Sequence, residues 1–201
     1  MTVIVASHRL SSETLKQRYS EASLLDVTSK GPEPWVRFSP FYSHGGIPVP
    51  FSADMTSASV EGIWQGLKVF EGMDVDTQKF AITTMKGIKR SARKYGKVLG
   101  HRAGVAGTEL LSYVQARHLI YLPSYRWVLE YRLQNELAEL ARLQKDRLVV
   151  LLDYETNGDV NDLTHPLSHA WLIKYYLEGN WPISMLGKEE GENKQMKRMA
   201  E

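Results

Sequence analysis

Apolar residues recur at two different spacings along this chain of 201 residues, and each spacing predicts a kind of element. Runs of β-branched and apolar residues at 2–6, 24–28 and 147–154 predict strands. The last run, RLVVLLDY, is continuous, so we expect that strand to be buried on both faces. Apolar residues three and four positions apart predict helices over residues 12–22, 58–72, 76–95, 108–121, 124–145 and 166–178.

Cap and breaker residues set the expected limits of these helices. Ser11 or Ser12 is expected to cap the first helix, and Gly87 interrupts the segment 76–95. Pro123 is expected to stop the helix before it, and Pro166 suits the first turn of the last helix. In the longest helix, 124–145, the residues expected to face the core are Trp127, Tyr131, Leu137, Leu140 and Leu143.

The order of elements predicts an α+β fold, a single helix-rich domain with a small β-sheet, over residues 1–187. Residues 30–50 are rich in Gly, Pro and Ser, so we expect a loop with strand fragments there. Residues 188–201, KEEGENKQMKRMAE, are charged and contain no core-forming run. They are predicted to form a mobile tail.

Composition excludes several classes of chemistry. The chain has 0 Cys, which excludes disulfides, zinc–thiolate sites, iron–sulfur clusters and a cysteine nucleophile. The apolar run at its start spans five residues, too short for the core of a secretion signal or for a membrane span. We therefore expect a cytoplasmic, soluble protein that does not interact with a membrane.

Charge is nearly balanced overall but is distributed unevenly. The formal net charge is +2, and no acidic residue lies between Asp76 and Glu109. That window could bind phosphates, or it could be a solvated helix face. It carries no P-loop motif. Its basic residues are Lys86, Lys89, Arg90, Arg93, Lys94, Lys97 and Arg102.

A line of polar residues runs beside the apolar stripe of the helix predicted at 58–72. Glu61, Gln65 and Lys68 form the line, and Gly62 and Gly66 lie next to it. One interpretation is a solvated edge whose glycines admit a neighbouring helix. The other is the wall of a pocket, in which Glu61 is an ionised carboxylate and Gln65 and Lys68 hold a polar or phosphorylated ligand.

Two patterns near the C-terminal end resemble metal sites, and neither is complete. Residues 153–164 match the spacing of a calcium loop, but position twelve is Thr164 where a bidentate Glu is needed. Asp159 and Asp162 are better interpreted as carboxylates that face a ligand. His165 and His169 have a zinc-binding spacing, but Pro166 follows the first and a capping or hydrogen-bonding role is favoured. We expect no metal and no cofactor.

Several segments between residues 37 and 171 together resemble the NADAR superfamily, which includes YbiA-like N-glycosidases. An aromatic loop of that family is similar to FSPFY at residues 38–42, and its E-x-x-x-Q-x-x-K helix is similar to Glu61, Gln65 and Lys68. A later family helix resembles the segment with Tyr113, Arg117 and either Ile120 or Tyr121. A Gly-Arg segment of the family is matched by residues 100–102 or by Gly96-Lys97.

The chain departs from the family pattern at three places. Pro40 stands where the family has Asn, and Gly62 stands where it often has His. The acidic-Trp-Gly segment that closes the family pattern is replaced by NGDVNDLTHPLSHAW. The resemblance is therefore to a divergent branch, and the second acidic residue is the least defined part of it.

The resemblance implies hydrolysis of the N-glycosidic bond of an ADP-ribosylated, guanine-like base or of a ribosylamino nucleotide, free or on nucleic acid. Glu61 would face the anomeric carbon, and Asp162 or Asp159 would be the second acid or base. Phosphate would be held by Lys68, Arg102 and Arg117. Phe38, Tyr42 and Trp64 would stack on the base or the ribose. Ser39, Gln65 and His169 would make further contacts with the substrate.

Two other classes of function stay open at this point. The same pocket could hold ADP-ribose or a nucleotide without turning it over, because a fold does not fix a function. A structural protein could instead use the polar line as an oligomer contact, in which case it would bind no nucleotide. The sequence leaves the base and the oligomeric state open.

Overall fold

The computed structural model describes residues 3–182, and its strands and helices alternate along the chain. The strands are β1 Val3–Ser7, β2 Ser23–Asp26, β3 Ile47–Pro48, β4 Thr56–Ser57, β5 Lys68–Phe70, β6 Val98–Arg102, β7 Leu110–Leu111 and β8 Val149–Asp153. The helices are α1 Ser12–Arg18, α2 Val60–Leu67, α3 Ala92–Tyr95, α4 Tyr113–Ala116, α5 Leu122–Arg132, α6 Gln134–Asp146 and α7 His169–Leu177. This is a mixed fold of helices and small sheets. Residues 183–187 of the predicted domain and the predicted tail, 188–201, lie outside the described residues.

The central sheet has three parallel strands in the order β1–β8–β2. All five residues of β8 are buried, which confirms the burial predicted from its continuous apolar run. The three strands predicted from the sequence therefore form one sheet, with ends shifted by one or two residues. Because the strands are parallel, their carboxyl ends lie at the same edge, the usual position of a ligand crevice in such sheets.

A second sheet is antiparallel, in the order β5–β6–β7, and it falls partly where helices were predicted. The helix expected to reach residue 72 ends at Leu67, because Lys68 has an extended backbone (φ −69°, ψ 133°) and pairs with His101. The prediction of helix over residues 76–95 was also wrong. That segment holds a 3-10 turn, Thr77–Ala81, an irregular stretch and the short helix α3. Short apolar runs such as these do not distinguish a strand from a helix by spacing alone.

The chain stays helical through Pro123, which was predicted to stop it. Residues Arg117–Tyr121 form a π-helical turn, in which the backbone N–H of Leu122 donates to the carbonyl of Arg117, five residues earlier. A proline inside a regular α-helix clashes with the carbonyl four residues before it. We attribute the passage of the helix to this wider turn, which directly precedes Pro123.

The helix predicted over residues 124–145 is two helices, α5 and α6. Leu133 separates them, with a non-helical backbone (φ −121°, ψ 21°) and a fully buried side chain. Leu137 and Leu140 face the core as predicted, but Tyr131 is 57% exposed. Burial of Leu133 at the junction redirects the chain, so one helical spacing does not extend across it.

The outer helices are shorter than predicted. Ser11 caps α1, accepting a hydrogen bond from the Thr14 N–H, and the helix ends at Arg18. The last helix begins at His169 after the cap residue Ser168, so Pro166 lies in the preceding loop and not in the first turn. Within residues 3–182, no helix is long and apolar enough to cross a bilayer.

Helix α2 is wholly buried, and its two glycines have a packing reason. A Cβ on Gly66 would overlap the ring of Phe80, and a Cβ on Gly62 would lie 2.8 Å from the Lys79 carbonyl oxygen. Both neighbours belong to the 3-10 turn Thr77–Ala81. The glycines therefore admit another backbone segment against α2, as the sequence allowed, but that segment is a 3-10 turn.

Candidate functional site

A cavity of about 500 Å³ lies between α2 and the carboxyl edge of the parallel sheet. One wall is the polar line of α2 with Trp64 beside it. The opposite wall is built from residues that follow β2 and β8. The lining residues are Thr28, Ser29, Ser39, Pro40, Phe41, Glu61, Trp64, Gln65, Lys68, Lys89, Arg90, Tyr113, Arg117, Tyr121, Asp153, Tyr154, Glu155, Pro166, Leu167 and His169.

Glu61 and Gln65 are held together on the first wall. The Gln65 side-chain amide donates to Glu61 Oε1 at 2.8 Å, and Gln65 Oε1 accepts from the Arg90 backbone N–H at 2.9 Å. The N–H of Glu61 donates to the Pro40 carbonyl, which ties the FSPFY loop to α2. Burial raises the pKa of Glu61, although the Gln65 bond and the charges of Lys68 and Lys89 oppose this.

Two ammonium groups reach the cavity without a partner in the described part of the chain. Lys68 Nζ lies 5.7 Å from the centre of the Trp64 ring, and Lys89 Nζ lies 5.2 Å from that of Phe41. Neither makes a hydrogen bond or an ion pair within residues 3–182. Burial lowers the pKa of Lys68, although Glu61 opposes this, and nearby cations lower it further. These cations are available to an anionic ligand.

The two arginines of the cavity are already engaged by backbone carbonyls. Arg90 is buried, and its guanidinium donates to the carbonyls of Lys68 at 2.6 Å and Asp74 at 2.8 Å, among others. Arg117 donates to the carbonyls of Val160, Asp162 and His165. Arg117 therefore clamps the loop after β8, and few of its N–H groups remain for a phosphate.

Asp153 and His169 form a buried ion pair on the opposite wall. His169 Nδ1 lies 3.1 Å from Asp153 Oδ2, and His169 Nε2 lies 2.8 Å from the Val27 carbonyl. A carbonyl only accepts, so Nε2 carries a proton, and the protonated Nδ1 donates a second hydrogen bond to the Asp153 carboxylate. Burial disfavours both charges, but their attraction and hydrogen bonds lower the pKa of Asp153 to about 2 and raise that of His169.

Aromatic rings complete the first wall. Trp64 meets Tyr113 and Tyr121 edge-on, with centroids 5.4 and 5.7 Å away. Its other neighbour is His101, 3.8 Å away and fully buried. Burial, and then the charge of Lys68, lower the pKa of His101 to about 3, so this ring is neutral. The cluster supports a flat apolar surface suited to a base or a sugar.

Seven of the residues predicted from the sequence line the cavity together: Ser39, Glu61, Trp64, Gln65, Lys68, Arg117 and His169. The other five lie elsewhere. Phe38 is in the core, and the Tyr42 hydroxyl faces Glu33 at 3.4 Å. Arg102 pairs with Asp74 at 2.8 Å, away from the cavity.

The two acids proposed as partners of Glu61 belong to the loop after β8 and do not line the cavity. The Asp162 carboxylate accepts from the N–H and hydroxyl of Thr164 and contacts His165, and these bonds lower its pKa to about 2. Asp159 accepts from the Asn161 N–H. Within residues 3–182, no group of three or more His, Asp or Glu side chains is arranged to hold a metal ion.

Asp153, Tyr121 and Lys89 are cavity residues that were not among the assigned site residues, although Lys89 belongs to the basic window and Tyr121 to the segment that resembles a family helix. For Asp153 a signal was present, since it ends a buried strand and parallel strands gather ligand-facing residues at their carboxyl ends. Tyr121 depends on the π-helical turn, and Lys89 on the irregular path of residues 82–91. Neither the π-helical turn nor the irregular segment has a residue spacing by which it could be predicted from the sequence.

Comparison with known proteins matches the chain to a family. The model of a family of unknown function, DUF6939, matches residues 7–173. No curated protein matches the chain, and no solved structure matches it.

Proposed function

The chain belongs to the DUF6939 family, and we propose that it is an N-glycosidase acting on a phosphate-bearing ribosyl compound. Glu61 carries the proposal. Its carboxylate is buried on a cavity wall and accepts one hydrogen bond within residues 3–182, from Gln65, and its pKa is raised. Perturbed carboxylates in a cavity are frequent catalytic groups. The match to the NADAR helix pattern supports the same assignment as a resemblance.

The proposed reaction cleaves the bond between C1′ of the ribose and a nitrogen of the base. As that bond breaks, positive charge develops at C1′, and the Glu61 carboxylate stabilises it. A water molecule attacks C1′ and gives one proton to Glu61, while Lys68 gives a proton to the leaving nitrogen. The products are the free base and the reducing sugar, and proton exchange with water restores both side chains.

The cavity contains matching groups for the rest of such a substrate. The Lys89 ammonium has no partner within the described residues and would bind phosphate oxygens. Trp64 and Tyr113 offer faces and edges for the sugar or base. A volume of about 500 Å³ is within the range of nucleotide-sized ligand sites.

A non-catalytic module for ADP-ribose or another nucleotide is the second candidate, and one observation favours it. Most glycosidases use two carboxylates. Asp153, the other buried carboxylate of the cavity, is engaged by Tyr154 N–H, Ser168 and His169. A single available carboxylate would suffice for binding.

Mass spectrometry on purified protein tests the proposal. The substrates are ADP-ribosylated guanine, free and in DNA, NAD and a ribosylamino-pyrimidine phosphate. We expect the wild type to release a base and a reducing sugar, and Glu61→Gln to be slower by at least about 100-fold. Glu139→Gln is the matched control, because Glu139 is an exposed residue of α6 paired with Arg142.

The same variants separate the two candidates. A binding module would bind ADP-ribose without releasing a product, and Glu61→Gln would bind it equally well. Release that is equally fast in the wild type and in Glu61→Gln would contradict the assigned role of Glu61.

A further inference from the structure

Tyr121 and Tyr125 form a stacked pair, and the two residues differ in the hydrogen bonding of their hydroxyl groups. Their rings are parallel within 1°, with centroids 6.2 Å apart, and they are 9% and 0% exposed. The Tyr125 hydroxyl donates to the Phe38 carbonyl at 2.7 Å. The Tyr121 hydroxyl has no hydrogen-bond partner within residues 3–182. Tyr121 lines the cavity, so the group that accepts from its hydroxyl there is a water molecule or an atom of a ligand.

The cavity is where that group would lie. Tyr121 lines it, and the ring stands edge-on to Trp64 at 5.7 Å. The residue ends the π-helical turn Arg117–Tyr121, and Arg117, at its other end, lines the same cavity. Single π-turns of this kind occur often at functional sites. The local backbone therefore presents this tyrosine to the cavity, while Tyr125, one turn later, faces the core.

The surrounding charges restrict what the hydroxyl can meet. Burial, and then the negative charges of Glu61 and Asp153, raise the pKa of Tyr121 well above its usual value. The hydroxyl therefore keeps its proton and is a donor. The same carboxylates repel an anion, whereas Lys68 and Lys89 attract one. An acceptor beside Tyr121 would be uncharged.

We propose that Tyr121 is a ligand-binding residue whose hydroxyl donates a hydrogen bond to an uncharged oxygen of the ligand. That oxygen is a sugar hydroxyl or a base carbonyl, with the phosphate of the same ligand toward Lys89. This rests on the proposed function only in that the cavity holds a nucleotide-like ligand. It does not require turnover.

Tyr121→Phe and Tyr125→Phe test this as a matched pair, since each removes one hydroxyl from the same stack. The probes are ADP-ribose, ribose 5-phosphate, AMP and GMP, with affinity measured by calorimetry and stability by thermal unfolding. We expect Tyr121→Phe to weaken binding by about tenfold, the usual effect of one hydrogen bond, with an equal or higher Tm without ligand. Tyr125→Phe should lower the Tm and leave affinity unchanged, because its hydroxyl bonds to the protein.

The probes also identify the oxygen. Weaker binding of ribose 5-phosphate to Tyr121→Phe would identify a sugar hydroxyl. Weaker binding of GMP but not of AMP would identify a base carbonyl, since adenine has none. Either result supports the proposal.

Three results would overturn it: unchanged affinity of Tyr121→Phe for every probe that binds, a loss of Tm like that of Tyr125→Phe, or no binding of any probe to the wild type. The proposed reaction can fail independently. A wild type that releases no base, yet loses affinity on Tyr121→Phe, would refute the N-glycosidase and retain Tyr121 as a ligand contact.

Discussion

Two buried carboxylates line the same cavity, Asp153 in an ion pair with His169 and Glu61 in the field of Lys68, and their pKa values are shifted in opposite directions. Glu61 is 8% exposed and Asp153 is 4% exposed, so burial penalises both carboxylates. The pKa of Glu61 is nevertheless raised and that of Asp153 is lowered to about 2. The cations differ in the same sense, because the pKa of Lys68 is lowered and that of His169 is raised.

The mutual attraction of Asp153 and His169, and then their hydrogen bonds, outweigh burial, which is the largest effect on the pKa of Glu61. The Asp153 carboxylate accepts from the Tyr154 N–H, the Ser168 hydroxyl and His169, and His169 also donates to Val27. Glu61 accepts from Gln65, and Lys68 has no hydrogen-bond partner in the described residues. The hydrogen bonds of Asp153 and His169 are therefore satisfied by the protein and join β8, the residue that follows β2, and α7. The Glu61 carboxylate and the Lys68 ammonium retain free hydrogen-bonding positions, which a ligand in the cavity could use.

Asp153→Asn should have the largest effect on stability. The change removes one partner of a buried ion pair and leaves the His169 charge uncompensated, so we expect a loss of about 3–5 kcal/mol in the free energy of unfolding. Urea denaturation at pH 6 measures it. Glu61→Gln is the matched control, because it removes a carboxylate that burial disfavours and should change stability by less than about 1 kcal/mol.

Equal losses in these two variants would contradict the comparison, since the two carboxylates would then be equally structural. A lower free energy of unfolding for Asp153→Asn and a higher one for Glu61→Gln would strengthen the contrast between the two carboxylates.

The contribution of the Asp153–His169 pair should depend on pH in a defined window. The raised pKa of His169 means that its contribution is complete below its ordinary value of 6.5 and is lost as pH rises through the folded-state value. The lowered pKa of Asp153 means that its contribution is complete above 3.8 and is lost as pH falls toward about 2. The stability difference between wild type and Asp153→Asn should therefore be largest between pH 3.8 and pH 6.5.

Denaturation of both proteins from pH 3 to pH 9 checks this window, and groups that titrate alike in both cancel in the difference. A difference that does not fall between pH 6.5 and pH 9 would contradict the raised pKa of His169 in the folded protein.

Sequence patterns predicted the strands of the central sheet better than they predicted the short strands and turns. The strand β8 was predicted with its burial, because its apolar run is continuous and short, as is typical of a strand buried on both faces. The strands β5 and β7 have three and two residues, too short for a period to be visible. The path through Pro123 depends on a π-turn, which needs tertiary contacts that a local pattern does not contain.

The residues of the candidate site also differ in how well the sequence predicts them. Glu61, Gln65 and Lys68 follow one another at helical spacing, so their shared wall could be predicted from the sequence. Asp153 faces them from a strand 92 positions further along the chain than Glu61, and only the order of the parallel sheet brings the two walls together. Asp162 has the same chemistry as Asp153, and a loop turn nine residues later uses its carboxylate for Thr164. Residue type and proximity in sequence do not distinguish these two acids.

The smallest predicted effect concerns Lys68 and the titration of its neighbour. Lys68 and then Lys89 lower the pKa of Glu61 through their charges, against the larger effect of burial. Lys68→Met should therefore raise the pKa of Glu61 further, and Lys89→Met should raise it by less. Carbon-13 NMR of the Glu61 carboxyl group measures both shifts, with Asp153 as an internal reference that should keep its low pKa. If the pKa of Glu61 fell on removal of Lys68, the two side chains would not be coupled as a pair. In that case the contrast with Asp153 and His169 would reduce to a difference in hydrogen bonding around a single carboxylate.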